Sequence, residues 1–135
     1  MQTALLGLHS LWRWVVLIAI IVTLVRGIIG WVRGGAWTTL DDQLRLLTVT
    51  AIDIQVLLGI LVWLVNKGWN LGAFLGFVHP VIMIIALVAA HIGAARAKRE
   101  RTPTAKYRAL TIGLIVTIVL VTAAIPSAAW SKIWA

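Results

Sequence analysis

Five ionisable side chains stand inside long apolar runs of this chain: His9, Arg13, Asp53, His79 and His91. A charge held in hydrocarbon is costly, so such residues are functional candidates from the outset. At about 100° per residue around a helix, His9, Arg13, Val16, Ile20, Thr23, Gly27 and Gly30 fall on one stripe. His79, Met83, Ala86, Ala90 and Ala97 fall on another, with Ala94 beside it. Thr48, Gln55, Gly59 and Asn66 share a third line, from which Asp53 points away. Stripes of small and polar residues suit faces turned toward neighbouring helices. His9 and His79 lie at matching depth, and bis-histidine ligation of a b-type haem requires two imidazoles facing across a gap. Arg13, one turn from His9, suits a haem propionate through its planar guanidinium. Asp53 and His91 fall at similar depth on antiparallel runs. They suit either a hydrogen-bonded carboxylate–imidazole pair or a contact with another subunit.

Each of these residues also has a plainer reading. A membrane histidine is often only an interhelical hydrogen bonder, and His79, next to Pro80, also suits a helix start. His91 lies well around the helix from His79, and for it the structural reading is preferred. Arg13 would snorkel to the outer surface, with Trp12 and Trp14 as interfacial anchors. Asp53 has no plain reading as a free charge: it must be paired, protonated or turned toward a partner.

The elements that position these residues follow from composition. Of 135 residues, 61 % are hydrophobic and 12 % charged, against ~45–50 % and ~25 % in soluble domains. A soluble enzyme, a disordered tail and a secreted disulfide scaffold all fit poorly. Apolar runs over about 5–32, 44–65, 71–96 and 107–125 are each near the ~20 residues that cross a bilayer. They must be helices, because a lipid-exposed strand leaves its backbone unpaired. The sequence therefore predicts a single all-α domain over residues 1–135, a four-transmembrane-helix up-down-up-down bundle. Thr39 or Asp41 is placed to cap the second helix, and Pro126 to stop the fourth. The absence of cysteine excludes disulfides, iron–sulfur clusters, thiolate zinc and covalently attached c-type haem. Histidine remains as the strong metal or haem ligand.

The net charge is +8. Its cations cluster between apolar runs, a pattern that orients membrane proteins rather than one that binds nucleic acid. Arg96, Lys98, Arg99, Arg101, Lys106 and Arg108 crowd the third connector region, and Arg26, Arg33 and Arg45 the first. Both loops are therefore expected in the cytoplasm and both termini outside, with Lys67 and Lys132 on the outer side. Trp69, Trp130 and Trp134 would form the outer aromatic belt, and Trp31 and Trp37 the inner one. The start Met1-Gln2-Thr3 lacks the basic region of a cleavable signal.

Leu8-His9-Ser10-Leu11-Trp12-Arg13-Trp14 resembles the "LHS-x-x-RW" opening of small four-span membrane proteins labelled cytochrome b, from Bacteroidetes and related bacteria. Ile54-Gln55-Val56-Leu57-Leu58-Gly59 is similar to their "LQLLLG" segment, and His79-Pro80-Val81-Ile82-Met83 to "HP-x-x-M". Ile92-Gly93 followed by Ala97-Lys98, and Ile125-Pro126, are similar to later marks of that family. The resemblance runs in order along nearly the whole chain. It implies a haem b subunit with His9 and His79 as the histidines that matter. The chain departs from the pattern at Asp53, where the family has a histidine before "LQLLLG".

The leading expectation is thus a membrane b-type-cytochrome-like subunit of the bacterial inner membrane, not an enzyme on its own. It would bind haem near the outer face and pass electrons within a respiratory or photosynthetic complex, to other membrane subunits or to quinone. A cofactor-free accessory subunit of a larger membrane complex is the alternative. An ion or metal transporter is the weakest of the three, for want of a broken helix pair, an inverted repeat or a Met- or Cys-rich entry.

Overall fold

The computed structural model describes residues 2–131. Four long helices account for most of it: α1 (Gln2–Arg33), α2 (Thr39–Val65), α3 (His79–Arg99) and α4 (Pro103–Ala124). A short 3-10 turn (Gly68–Asn70) and a π turn (Phe74–Val78) lead into α3, and another 3-10 turn (Ser127–Ser131) follows α4. All four helices are long and apolar enough to cross a bilayer, α3 with its π turn counting as one span from Phe74 to Arg99. The chain is a multi-pass membrane protein built as an all-α four-helix bundle. Lys132 and Trp134 lie outside the described residues.

Successive helices pack side by side and α4 closes back on α1, so α1 and α3 stand on a diagonal. The expected stripe of α1 faces inward: Arg13, Val16, Ile20, Thr23, Gly27 and Gly30 are all buried. Thr23 and Thr48 share a buried hydroxyl–hydroxyl hydrogen bond of 2.6 Å between α1 and α2. Trp12, expected as an interfacial anchor, is half-buried. Its indole N–H donates to the Ala51 carbonyl at 2.9 Å, and its ring packs on the core beside Val16 and Ile52.

The tightest seam joins α3 to α4. A Cβ on Gly93 would stand 2.9 Å from the Gly113 Cα, and one on Gly113 would stand 2.7 Å from the Gly93 Cα. The two backbones touch there because neither residue carries a side chain. Ala86, Ala90, Ala94 and Ala97 continue the buried face of α3. Replacing Gly93 with leucine must push the helices apart. The expected cost is at least the ~1–3 kcal/mol of an overpacked core, read as a lower unfolding midpoint in detergent. An unchanged midpoint would show that the seam adapts.

At the end carrying the basic connectors, Asp41 is 2 % exposed. Its carboxylate accepts from Arg26 Nε at 2.8 Å, from the Thr38 backbone N–H at 2.8 Å and from the Thr38 hydroxyl at 2.9 Å. The Tyr107 hydroxyl lies 2.7 Å from the same carboxylate and 2.6 Å from the Ala36 carbonyl, and can donate to either. The Tyr107 ring fills the space over Gly30, where a Cβ would stand 2.5 Å from it. One carboxylate therefore ties α1, the first connector, α2 and α4 together. Thr38, not Thr39 or Asp41, is the N-cap of α2, and Asp41 is the acidic partner of its capping box.

Candidate functional site

At the opposite end of the bundle, Pro80 shapes the approach to His79. Proline has no N–H, so it cannot bond the carbonyl four residues back, that of Gly76. The chain widens into the π turn Phe74–Val78, in which the His79 N–H reaches the Phe74 carbonyl. The indole N–H of Trp63 on α2 donates to the Gly76 carbonyl at 2.9 Å. Gly76 itself is buried against the Gly68 carbonyl, 2.7 Å from where its Cβ would stand. The His79 backbone is thereby fixed by a proline, a glycine and a tryptophan together.

The His79 ring is held as well. Its Nδ1 lies 2.7 Å from the carbonyl of Ala124, the last residue of α4. A carbonyl at a helix end has no partner within the helix, so it needs a donor from elsewhere. Nδ1–H supplies that donor, which leaves Nε2 of the neutral ring as the atom with a lone pair. A histidine so held, with one nitrogen on a carbonyl and the other bare, can serve a metal or simply join two helices.

His9 approaches from the diagonal helix. Its ring centroid is 6.4 Å from that of His79, with the ring planes at 90°. Its Nδ1 is buried and has no hydrogen-bond partner. Gly59 makes room for the ring, since a Cβ there would stand 3.1 Å from His9 Cε1. Gln55, one turn away on α2, donates to the His9 carbonyl at 2.9 Å. Both histidines sit ~7.5 Å along from the ends of their spans at Ala4 and Phe74, at ~1.5 Å per residue. The Phe74 ring stands 6.3 Å from that of His79.

Arg13 is buried one turn below His9. Its Nη2 donates to the Ala129 carbonyl at 3.0 Å, and its guanidinium carbon lies 5.2 Å from the Trp14 ring centroid. Trp14 in turn meets Trp130 edge to face at 6.3 Å. Arg13 thus pins the turn after α4 against α1 rather than snorkelling away from the bundle.

Asp53 and His91 form a second polar site, apart from the first. His91 Nε2 lies 2.7 Å from Asp53 Oδ1, joining α2 to α3. Both side chains face outward, 47 % and 48 % exposed respectively. The pairing that their depth suggested is present, on the face turned to lipid.

Among the described residues no group of three or more His, Cys, Asp or Glu side chains is placed to hold a metal ion. A bare metal ion takes about four ligands from the protein. His9 and His79 are the two histidines that the fold brings together at this end. No protein-family model matches this sequence, and comparison with curated proteins and with solved structures returned no match.

Proposed function

We propose that this protein is a b-type-cytochrome-like membrane subunit whose haem is held by His9 and His79 and takes part in electron transfer. The observation that carries the reading is the pairing of two imidazoles from diagonal helices, 6.4 Å apart between ring centroids. Two imidazoles on one iron, each nitrogen ~2 Å from the metal, hold their centroids roughly 6 Å apart. Perpendicular planes are compatible with this, because ligation by two imidazoles would fix no angle between their planes. The donor set fits the group in chemistry too. His79 keeps Nε2 for the metal, and His9 carries a buried ring nitrogen that no protein group satisfies.

Haem b, when bound, supplies one-electron chemistry that no side chain of this protein can perform. The protein's own residues do the rest. His9 and His79 fix the site at one depth, and the Ala124 carbonyl orients the His79 ring and makes it a better donor. The His9 ring sits where a side chain on Gly59 would be. Arg13 brings positive charge close by, suited to an acidic propionate. The apolar helices would keep water from the group, and other membrane subunits or quinone would be its electron partners.

A reduced-minus-oxidised spectrum of the purified protein tests this. α and Soret bands at about one haem per chain are expected, and a spectrum with protein absorbance alone would overturn the proposal. The second reading, a cofactor-free accessory subunit of a larger complex, draws support from the edge-to-face contact of the two rings, which a bundle can hold with no ligand between them.

The basic connectors favour a cytoplasmic position for the 1–2 and 3–4 loops in the bacterial inner membrane, leaving both termini outside. A reporter fused after Arg101 is expected to be active only as a cytoplasmic reporter. Activity of a periplasmic reporter at that position would reverse the orientation.

A further inference from the structure

We propose that two copies of this chain associate in the membrane through the α2–α3 face, closing their Asp53–His91 pairs into one four-membered hydrogen-bonded cycle. The pair is exposed where polar groups are least tolerated. Each residue lies at least ~12 Å along its helix from either end of its span. Neither side chain makes another hydrogen bond within the described residues, so one carboxylate oxygen and one imidazole nitrogen of this half-exposed pair have no protein partner. Lipid tails offer nothing to either atom. In its uncharged form the pair presents one donor, His91 Nδ1–H, and one acceptor, Asp53 Oδ2.

A second copy is the partner that this chemistry selects. Rotation by 180° about the membrane normal keeps every residue at its own depth. It also reverses the direction from α2 to α3, so Asp53 of each copy comes opposite His91 of the other. Each Nδ1–H then donates to the Oδ2 across the axis, and both open valences close at once. A twofold contact of this kind is self-complementary, as closed dimers require. The shape of the face agrees. Leu87, Val88, Ile92 and Ala95 line a shallow, largely apolar hollow of about 400 Å³ beside His91, closed toward the basic end by Arg96 and Arg99. Leu46, two turns from Asp53 toward the basic end of α2 and 62 % exposed, extends the apolar surface of this face. This inference is independent of haem, since the pair is separate from the site of His9 and His79.

The chain has no cysteine, so introduced thiols report without background. Thr50 and Ala95 are exposed and stand one turn from Asp53 and His91, both toward the basic end. Chains carrying Thr50→Cys and differently tagged chains carrying Ala95→Cys, co-expressed and mildly oxidised in membranes, are expected to give a mixed disulfide dimer. The yield should exceed at least tenfold that of Val119→Cys, which is exposed on α4. Asp53→Leu or His91→Leu in both chains should cut it about tenfold. Exchanging the two residues, Asp53→His with His91→Asp, should restore it, and this variant decides the matter if the leucine variants fail to insert. Cross-linking no better than Val119→Cys would overturn the proposal. So would a yield that ignores the leucine substitutions, an exchange variant that stays monomeric, or a covalent product with a different polypeptide.

Discussion

Replacing His79 with alanine is expected to abolish haem retention while leaving the bundle folded. On the proposed reading the substitution removes one of the two side chains that would hold the haem, so affinity should fall by at least about a hundredfold, beyond the ~10–100-fold typical of losing an outer partner. Its structural cost is the hydrogen bond to the Ala124 carbonyl, which leaves a buried acceptor unpaired at about 1–3 kcal/mol. His9→Ala should behave alike, and Gly59→Leu should weaken binding by crowding the His9 ring. His91→Ala, at the separate pair, should keep full haem. Haem content per chain and far-ultraviolet circular dichroism, measured on the same samples, separate loss of the site from loss of the fold. Normal haem content in both His9→Ala and His79→Ala would remove these residues from the account.

The second large effect is expected at the other end of the molecule. Asp41→Ala should destabilise the bundle by about 3 kcal/mol, because it leaves Arg26, Tyr107 and the Thr38 N–H without their shared acceptor. Asp42→Ala makes the contrast. That carboxylate is exposed, its ion pair with Arg45 spans 3.6 Å, and its loss should cost under ~1 kcal/mol. Denaturant unfolding in mild detergent would rank the two variants. Equal effects would mean that the buried network does not hold the connectors together.

The contrast between these two ends explains what the sequence could reveal. The spans were legible because hydropathy leaves little choice for runs so long, and the α1 stripe because small and polar residues recur at helical spacing. The edges were less so. The second span was expected from residue 44, whereas α2 starts at Thr39, since its first turn is polar and sits beyond the apolar run. The fourth was expected from 107 and starts at Pro103, for the same reason. Thr38 with Asp41 three residues later has the spacing of a capping box, a signal that would have placed the start of α2.

Tertiary partnerships were harder to foresee. Tyr107, the single tyrosine, marks in the sequence only the start of a span, yet it is 1 % exposed and completes the Asp41 network. Nothing local in the sequence joins residues 26, 41 and 107; only the packing of three helices does. Pro80 announced an irregularity before α3. That Trp63 would satisfy the freed Gly76 carbonyl depended on a contact between helices. The Asp53–His91 pair was legible for a different reason: hydrocarbon forbids an isolated carboxylate, so depth alone pointed to its partner.

Electron paramagnetic resonance of the oxidised purified protein tests the central claim most directly, because it reports the axial ligands themselves. The account predicts a low-spin ferric signal from two nitrogen ligands, strongly anisotropic because the two ring planes are perpendicular, and lost in both His9→Ala and His79→Ala. A purely high-spin signal, or a low-spin signal that survives either substitution, would contradict it.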